Sequence, residues 1–144
     1  MARWAPERRD TIHALADEVR QNYGHGRVIV AVDGVDAAIT AQFADDLAVD
    51  LRDDGHQSAR VSVAAADDLD AVRSGIVTPF RGAAQADEYL VVDGQTLLGP
   101  GLSGLWNFSV RLDGPDPSAN RADATAIVNV ADPEHPRRQF ADSC

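Results

Sequence analysis

The stretch Arg27-Val-Ile-Val-Ala-Val-Asp33, continued by Gly34-Val-Asp36, decides the fold of this chain. Its first part is a continuous apolar run rich in β-branched residues, which is typical of a strand buried on both faces of a parallel sheet. A helix is predicted after it, over about Ala38 to Asp53, because apolar residues recur there at helical spacing and Gly55 ends the pattern. The stretch therefore predicts the first strand–loop–helix unit of an α/β domain.

Further strands and helices alternate along the chain around this unit. A helix is predicted after Pro6, where apolar residues again fall at helical spacing. The other predicted elements are strands at Ala59–Val63, Asp87–Asp93, Asn107–Leu112 and Ala124–Val130 and a short helix at Asp67–Ser74. Strands that alternate with helices predict a three-layer α/β fold, in which right-handed crossovers join a parallel sheet of about five strands.

The length of 144 residues fits a single domain over 1–144. Within it we distinguish an N-terminal helix in 1–26, an α/β core in 27–132 and a tail in 133–144. The tail is polar and contains proline, so it is expected to lie over the surface.

Composition and charge narrow the function classes. The formal net charge of −10 opposes binding to nucleic-acid phosphates. No apolar run approaches the ~20 residues of a membrane helix, and the N-terminus lacks the apolar core of a secretory signal. We therefore expect a cytoplasmic protein without nucleic-acid or membrane partners. Cys144 is the only cysteine, which excludes an internal disulfide and a thiolate cluster, and the four histidines lack the i, i+4 spacing of a zinc pair.

Several segments, in order along the chain, resemble one known family. Val28–Asp36, followed by Phe43–Ala48, resembles V-A-V-D-G-V-D-G-A-G-K-T-T-F-A-D-E-L-A, the first βα unit of actinobacterial uridine kinase-like proteins, and the two align without a gap from Gly34 through Leu47. The segments Arg60–Val63, Leu90–Gly94, Gly104–Val110 and Val128–Pro133 resemble later strands of the same family. The resemblance implies a P-loop NTPase kinase-like sheet with strand order 2-3-1-4-5, with ATP and magnesium as cofactors and a nucleoside as substrate.

The glycine positions of the phosphate loop are only partly kept. In a P-loop, glycines let successive backbone N–H groups wrap the phosphates at a helix N-terminus. Gly34 keeps its place and Ala38 matches the pattern, but Ala37 stands where the family has glycine. Ile39 replaces the glycine before the lysine, and a β-branched residue does not readily adopt a positive φ.

The charged and metal-binding positions of the loop are replaced outright. Thr40 stands in place of the lysine that neutralises the β and γ phosphates, and Ala41 in place of the hydroxyl that binds magnesium. Phosphoryl transfer depends almost entirely on positioning and charge stabilisation, and the loss of one such group commonly costs ~10²–10³ in rate. The sequence therefore predicts a degenerate loop.

Two further parts of the family's machinery differ. The family reads V-S-V-D-D-F-H after the second strand, where carboxylates serve as base and magnesium ligand, but Ala64–Ala66 stand there instead. The nearest acids are Asp67 and Asp68, one of which is expected to cap the following helix; only a rearranged loop would return them to the family's role. The connection Asp113–Asp123 is also too short for an arginine-bearing lid, and Arg121 is interpreted as a solvated loop residue.

The roles of two aspartates can be interpreted in more than one way. Asp93, at the end of the third strand, either orders magnesium through water or is a satisfied turn residue before Gly94. Asp36 is predicted to cap the N–H groups that would otherwise hold phosphate, which would close the anion site with the chain's own carboxylate. The family pattern also carries aspartate at this position.

Three functional hypotheses follow. The leading one is a catalytically inactive uridine kinase-like protein that binds a nucleotide weakly or contacts a protein partner, with no certain cofactor and only weak ATP and magnesium binding. Its candidate site comprises Gly34, Asp36, Ala37, Ala38, Ile39, Thr40, Ala41 and Asp93. The alternative is an active ATP-dependent uridine or cytidine kinase with a non-standard phosphate site. The third is a decaying gene product without a selected role.

Overall fold

The computed structural model describes residues 8–23, 27–34, 36–52, 57–63, 73–82, 88–94, 97, 106–113, 124–132 and 134–139. Helices and strands alternate through most of this part of the chain. The helices are α1 (Arg8–Asn22), α2 (Ala37–Leu51), a π-helical segment (Arg73–Val77) and α3 (Thr78–Gly82). The strands are β1 (Arg27–Gly34), β2 (Gln57–Val63), β3 (Glu88–Gly94), β4 (Phe108–Asp113), β5 (Ala126–Asn129) and β6 (Arg137–Gln139).

The strands form one sheet in the order β2-β3-β1-β4-β5-β6. The first five are mutually parallel, which confirms the predicted α/β fold and the order 2-3-1-4-5. The sixth strand was not predicted: β6 pairs antiparallel with β5, from the segment expected to lie over the surface. Its Arg-Arg-Gln sequence has no apolar alternation, so sequence patterning does not predict the backbone ladder that pairs it with β5.

The central strand β1 is buried on both faces, as its continuous apolar run predicts. Side chains with even numbers in β1 face α1 and α2, and those with odd numbers face the other layer. The first core cluster contains Val28, Val30 and Val32 with Leu15, Val19, Phe43, Leu47 and Leu51 of the two helices. The second contains Ile29 and Ala31 with Val77, Phe80, Val92, Leu97 and Trp106.

The register of the sheet brings the candidate site together. Val32 of β1 lies opposite Asp93 of β3, and Ser62 of β2 lies opposite the same residue on its other side. The carboxyl ends of β1, β2 and β3 therefore meet at one edge, where α2 begins. This edge is the usual ligand-binding edge of an open parallel sheet.

The helices α1 and α2 and the strands β1 to β5 match their predicted ranges to within a few residues, whereas the π-helical segment and α3, like β6, were not predicted. The expected helix at Asp67–Ser74 lies mostly outside the described residues, as do Ala64–Ala66, Arg121 and nearly all of the short connection after β4. None of the helices in the described part of the chain could span a bilayer.

Candidate phosphate-binding site

The candidate site lies where β1 ends and α2 begins. Asp36 is the N-cap of α2, with extended backbone angles of φ −94° and ψ 112°, and Ala37 is the first helical residue. A cavity of about 380 Å³ opens beside this turn, toward the ends of β2 and β3. Its described lining consists of Ala37, Thr40, Ala41, Ser62, Val63, Asp93 and Gly94.

The predicted cap by Asp36 is confirmed. The backbone N–H of Ile39 donates to Oδ1 of Asp36 at 3.0 Å, and the N–H of Thr40 donates to the carbonyl oxygen of Asp36 at 2.9 Å. A carboxylate also suits the positive end of a helix electrostatically. The Ile39 amide is one of the N–H donors of the first turn, and a phosphate at this helix N-terminus would use these donors. The Asp36 carboxylate already accepts from one of them.

Thr40 places a neutral side chain in the first turn of α2, and this side chain bonds to the backbone one turn before it. It is buried, and its hydroxyl donates to the carbonyl oxygen of Asp36 at 2.6 Å. The hydroxyl also packs closely on Gly34: a Cβ built at Gly34 would lie 2.3 Å from Thr40 Oγ1. Glycine is therefore needed at position 34 for this close approach. The proton of the Thr40 hydroxyl is donated within the turn, to the carbonyl oxygen of Asp36.

Asp93 is a satisfied buried acid. Its Oδ1 accepts from Nη1 of Arg60 at 2.9 Å, and its Oδ2 accepts from the hydroxyl of Ser62 at 2.9 Å. Arg60 Nη1 also donates to Ser62 Oγ at 3.0 Å, and Arg60 Nε lies 3.8 Å from Oδ1 of Asp45. Both carboxylate oxygens of Asp93 are thus engaged, which favours the satisfied-residue interpretation over a magnesium-ordering one.

Arg60 was not singled out by sequence reasoning. The signal that could have found it is its position in β2, two residues before Ser62 and so on the same face of the sheet. The parallel pairing of β2 with β3 then brings Arg60 and Ser62 alongside Asp93. This pairing joins residues 33 and 31 positions apart, so it depends on the fold and not on a local motif.

The charge around the cavity is unfavourable to phosphate. Its described lining residues include an aspartate and no lysine or arginine. Asp36 caps the start of α2, and the guanidinium of Arg60 is shared between Asp45, further along α2, and Asp93. A cation about 4 Å from a phosphate contributes about 4 kcal/mol at an effective dielectric constant of roughly 20, and the described lining residues offer no such contribution to a phosphate.

A second charged group lies on the opposite face of the sheet, at the ends of β1 and β4. Arg111 Nη1 donates to Oδ2 of Asp33 at 3.3 Å, and Arg111 Nε donates to Oδ1 of Asp113 at 3.3 Å. Both carboxylates are buried. The arrangement is an arginine between two acids, and the described residues contain no cluster of three side chains suited to a metal ion.

A smaller cavity, of about 170 Å³, lies on the other side of the first turn of α2. Its lining is mainly apolar, with Ile39, Phe43 and Val130 beside Ala38 and with Arg8 and Gln42 as its polar members. The eight candidate residues are therefore all described and share one edge of the sheet, but the six of them that line a cavity divide between two cavities. Ala37, Thr40, Ala41 and Asp93 line the larger cavity, and Ala38 and Ile39 the smaller.

Comparisons with known proteins identify the fold. The chain matches no protein-family model. It matches no curated protein sequence either. Among solved structures it is similar to a possible uridine kinase from Bacillus stearothermophilus, with a TM-score of 0.61 and 13% identity over 80% of this chain and 84% of that chain. It is also similar to a candidate fructose transport system kinase from Silicibacter sp. TM1040, with a TM-score of 0.50 and 20% identity over 78% of each chain. The chain has a P-loop kinase-like fold.

Proposed function

We propose that this chain is a catalytically inactive member of the uridine kinase-like group, of the actinobacterial type, that acts by binding and not by phosphoryl transfer. The observation that carries the proposal is the state of the turn at 34–41. Thr40 occupies the lysine position, is buried, and directs its hydroxyl to the backbone of Asp36. The turn has neither the cation nor the metal-binding hydroxyl that a triphosphate requires.

The state of Asp93 supports the same proposal. An acid at this strand end could help to order a magnesium ion only with an oxygen directed at the metal or its water. Arg60 and Ser62 already engage both oxygens at 2.9 Å. Magnesium would therefore have to displace an internal cation, and it would gain no hydroxyl ligand from Ala41.

The magnitude of the expected defect is large. Removal of one group that stabilises transition-state charge commonly costs ~10²–10³ in rate. Here the lysine and the metal-binding hydroxyl are both replaced, and the strand-end acid is neutralised internally. Transfer from ATP should therefore fall to the uncatalysed background.

A second candidate function is weak binding of a nucleoside or nucleotide through its base alone. The observation that favours it is the mainly apolar cavity of about 170 Å³ beside Ala38 and Ile39, which Val130 after β5 also lines. The flat face of a nucleobase can pack on such an apolar surface without help from a phosphate site. In this case affinity would be similar for a nucleoside and for its triphosphate.

A direct assay tests the leading proposal. The purified chain, shown to be folded by its cooperative thermal unfolding, is incubated with ATP, magnesium and either uridine or cytidine. We expect no nucleoside monophosphate above the enzyme-free background. ATP-dependent product that disappears in an Asp93→Asn variant would overturn the proposal, because it would assign a working catalytic site to this edge.

A further inference from the structure

A cluster of four charged or titratable side chains joins α1 to α2, away from the candidate phosphate site. His13 of α1 places Nδ1 at 3.1 Å from each carboxylate oxygen of Asp50 in α2. Its Nε2 lies 3.3 Å from Oδ2 of Asp17, one turn further along α1. The imidazole therefore bridges two carboxylates that belong to different helices.

Arg20 completes the cluster. Its Nη2 donates to Oδ1 of Asp17 at 2.6 Å and lies 3.3 Å from Oδ1 of Asp50, while its Nη1 donates to the backbone carbonyl of Asp50 at 2.9 Å. The last contact satisfies a carbonyl in the final turn of α2, where a cation is favourable. With His13 neutral, the cluster holds two negative charges and one positive charge, and protonation of His13 balances them.

The groups that face His13 come from the two helices alone, within the described residues. On α1 they are Asp17 and Arg20, with Arg9 and Asp10 one turn before His13. On α2 the facing group is Asp50. One turn before Asp50, Asp46 forms an ion pair with Arg8 and accepts from the side chain of Gln42.

The cluster and the Arg8–Asp46 pair stand on either side of a gap between the helices. A cavity of about 420 Å³ lies between them, lined by Arg8, Arg9, Ile12, Asp46, Val49 and Asp50. Arg8 also lines the smaller cavity, together with Ala38, Ile39 and Val130. The position of α1 on α2 therefore sets the shape of the cavity next to the first turn of α2.

We propose that His13 is a proton-sensitive clamp, whose protonation tightens α1 on α2 and fixes the Arg8 wall of the cavity that contains Ala38, Ile39 and Val130. With both ring nitrogens protonated, His13 donates to Asp50 and Asp17 together, whereas a neutral ring can donate to only one of them. The clamp acts whatever occupies the cavity, so it is independent of the proposed function.

The electrostatics agree with this geometry. The hydrogen bond with Asp50, its charge and the charge of Asp17 raise the pKa of His13 above its usual value of 6.5, against smaller opposing effects of burial and Arg20. The clamp should therefore be closed below about pH 6.5 and should open as the pH rises through the raised pKa of the folded protein.

The test is an NMR titration of the folded chain between pH 5 and pH 9. We expect the His13 ring to titrate with a midpoint above 6.5, and the Val130 methyl and Arg8 Nε–H signals to shift with the same midpoint. In a His13→Gln variant these two signals should lose that step. A His135→Gln variant is the matched control, because it removes another histidine outside the cluster and should keep the step.

A second variant separates the clamp from a general effect of pH. Asp50→Asn keeps the size of the side chain but removes one carboxylate, so the His13 midpoint should fall. The inference is overturned if the Val130 and Arg8 signals do not follow the His13 titration, if their step persists in His13→Gln, or if the His13 midpoint is unchanged in Asp50→Asn.

Discussion

The guanidinium of Arg60 lies 2.9 Å from the carboxylate of Asp93, so the strand-end acid of this P-loop kinase-like fold is neutralised by the chain itself. The Asp93 side chain is 5% exposed and that of Arg60 is 31% exposed. Because Asp93 has little contact with water, its charge depends on Arg60 for stabilisation more than the charge of Arg60 depends on Asp93. A buried carboxylate that loses its partner is costly, because its solvation is not recovered.

Removal of Arg60 should therefore weaken the fold and uncover the acid. We expect Arg60→Ala to lower the free energy of unfolding by about 1–3 kcal/mol, the range for a hydrogen bond to a charged group or a buried group left unsatisfied. Urea unfolding with and without magnesium chloride measures this, and added magnesium should recover part of the loss. Arg52→Ala is the control, since Arg52 is exposed and its side chain, among the described residues, donates one 3.3 Å bond to Ser58. Equal losses in the two variants would contradict the assigned role of Arg60.

The Asp36 cap predicts a difference between two similar variants. Asp36→Ala removes the acceptor for the Ile39 amide and should cost about 1 kcal/mol of stability, whereas Asp36→Asn keeps an acceptor oxygen and should change stability by only a few tenths. Chemical denaturation of both variants checks this. If alanine and asparagine were equally destabilising, the negative charge and not the cap would be the important feature.

The contact between Gly34 and Thr40 predicts a steric effect that a second change should relieve. In Gly34→Ala the new methyl would lie 2.3 Å from Thr40 Oγ1 and 3.2 Å from Leu112 Cβ, so we expect a loss of about 1–3 kcal/mol from overpacking. In the Thr40→Ala background the same change should cost less, which a double-mutant cycle would measure. Gly75→Ala is the control, because a Cβ there meets nothing within 4 Å. Additive effects would show that Thr40 does not cause the crowding.

The cluster between α1 and α2 predicts a pH dependence of stability in two ranges. The raised pKa of His13 means that its stabilising contribution is complete below about pH 6.5 and is lost as the pH rises through the folded value. The hydrogen bond from Arg20 lowers the pKa of Asp17, so the contribution of Asp17 is present above about pH 3.8 and is lost as the pH falls through its folded value.

Thermal unfolding of the wild type, His13→Gln and Asp17→Asn at a series of pH values measures both ranges. The unfolding temperature of the wild type should exceed that of His13→Gln most at pH 5 to 6, and the two temperatures should converge at high pH. The unfolding temperature of the wild type should exceed that of Asp17→Asn at neutral pH, and the two temperatures should converge in strong acid. A pH-independent difference would assign these residues a packing role alone.

The fold was largely predictable because its signals are local. The apolar run of β1 and the helical spacing in α2 each lie in one segment, and the order of the strands followed from a family resemblance along the chain. The Asp36 cap was predictable for the same reason, since it joins residues three apart. The Arg60–Asp93 pair was not, because it requires the β2–β3 register, and β6 was not, because its polar sequence lacks the apolar alternation of a strand.

Calorimetric titration of the chain with ATP, with and without magnesium, tests the central claim most directly. If the turn at 34–41 lacks a working phosphate site, ATP should bind no more tightly than adenosine, and magnesium should make no difference. ATP binding that is at least tenfold tighter than that of adenosine, that requires magnesium and that is lost in Asp93→Asn would contradict the account.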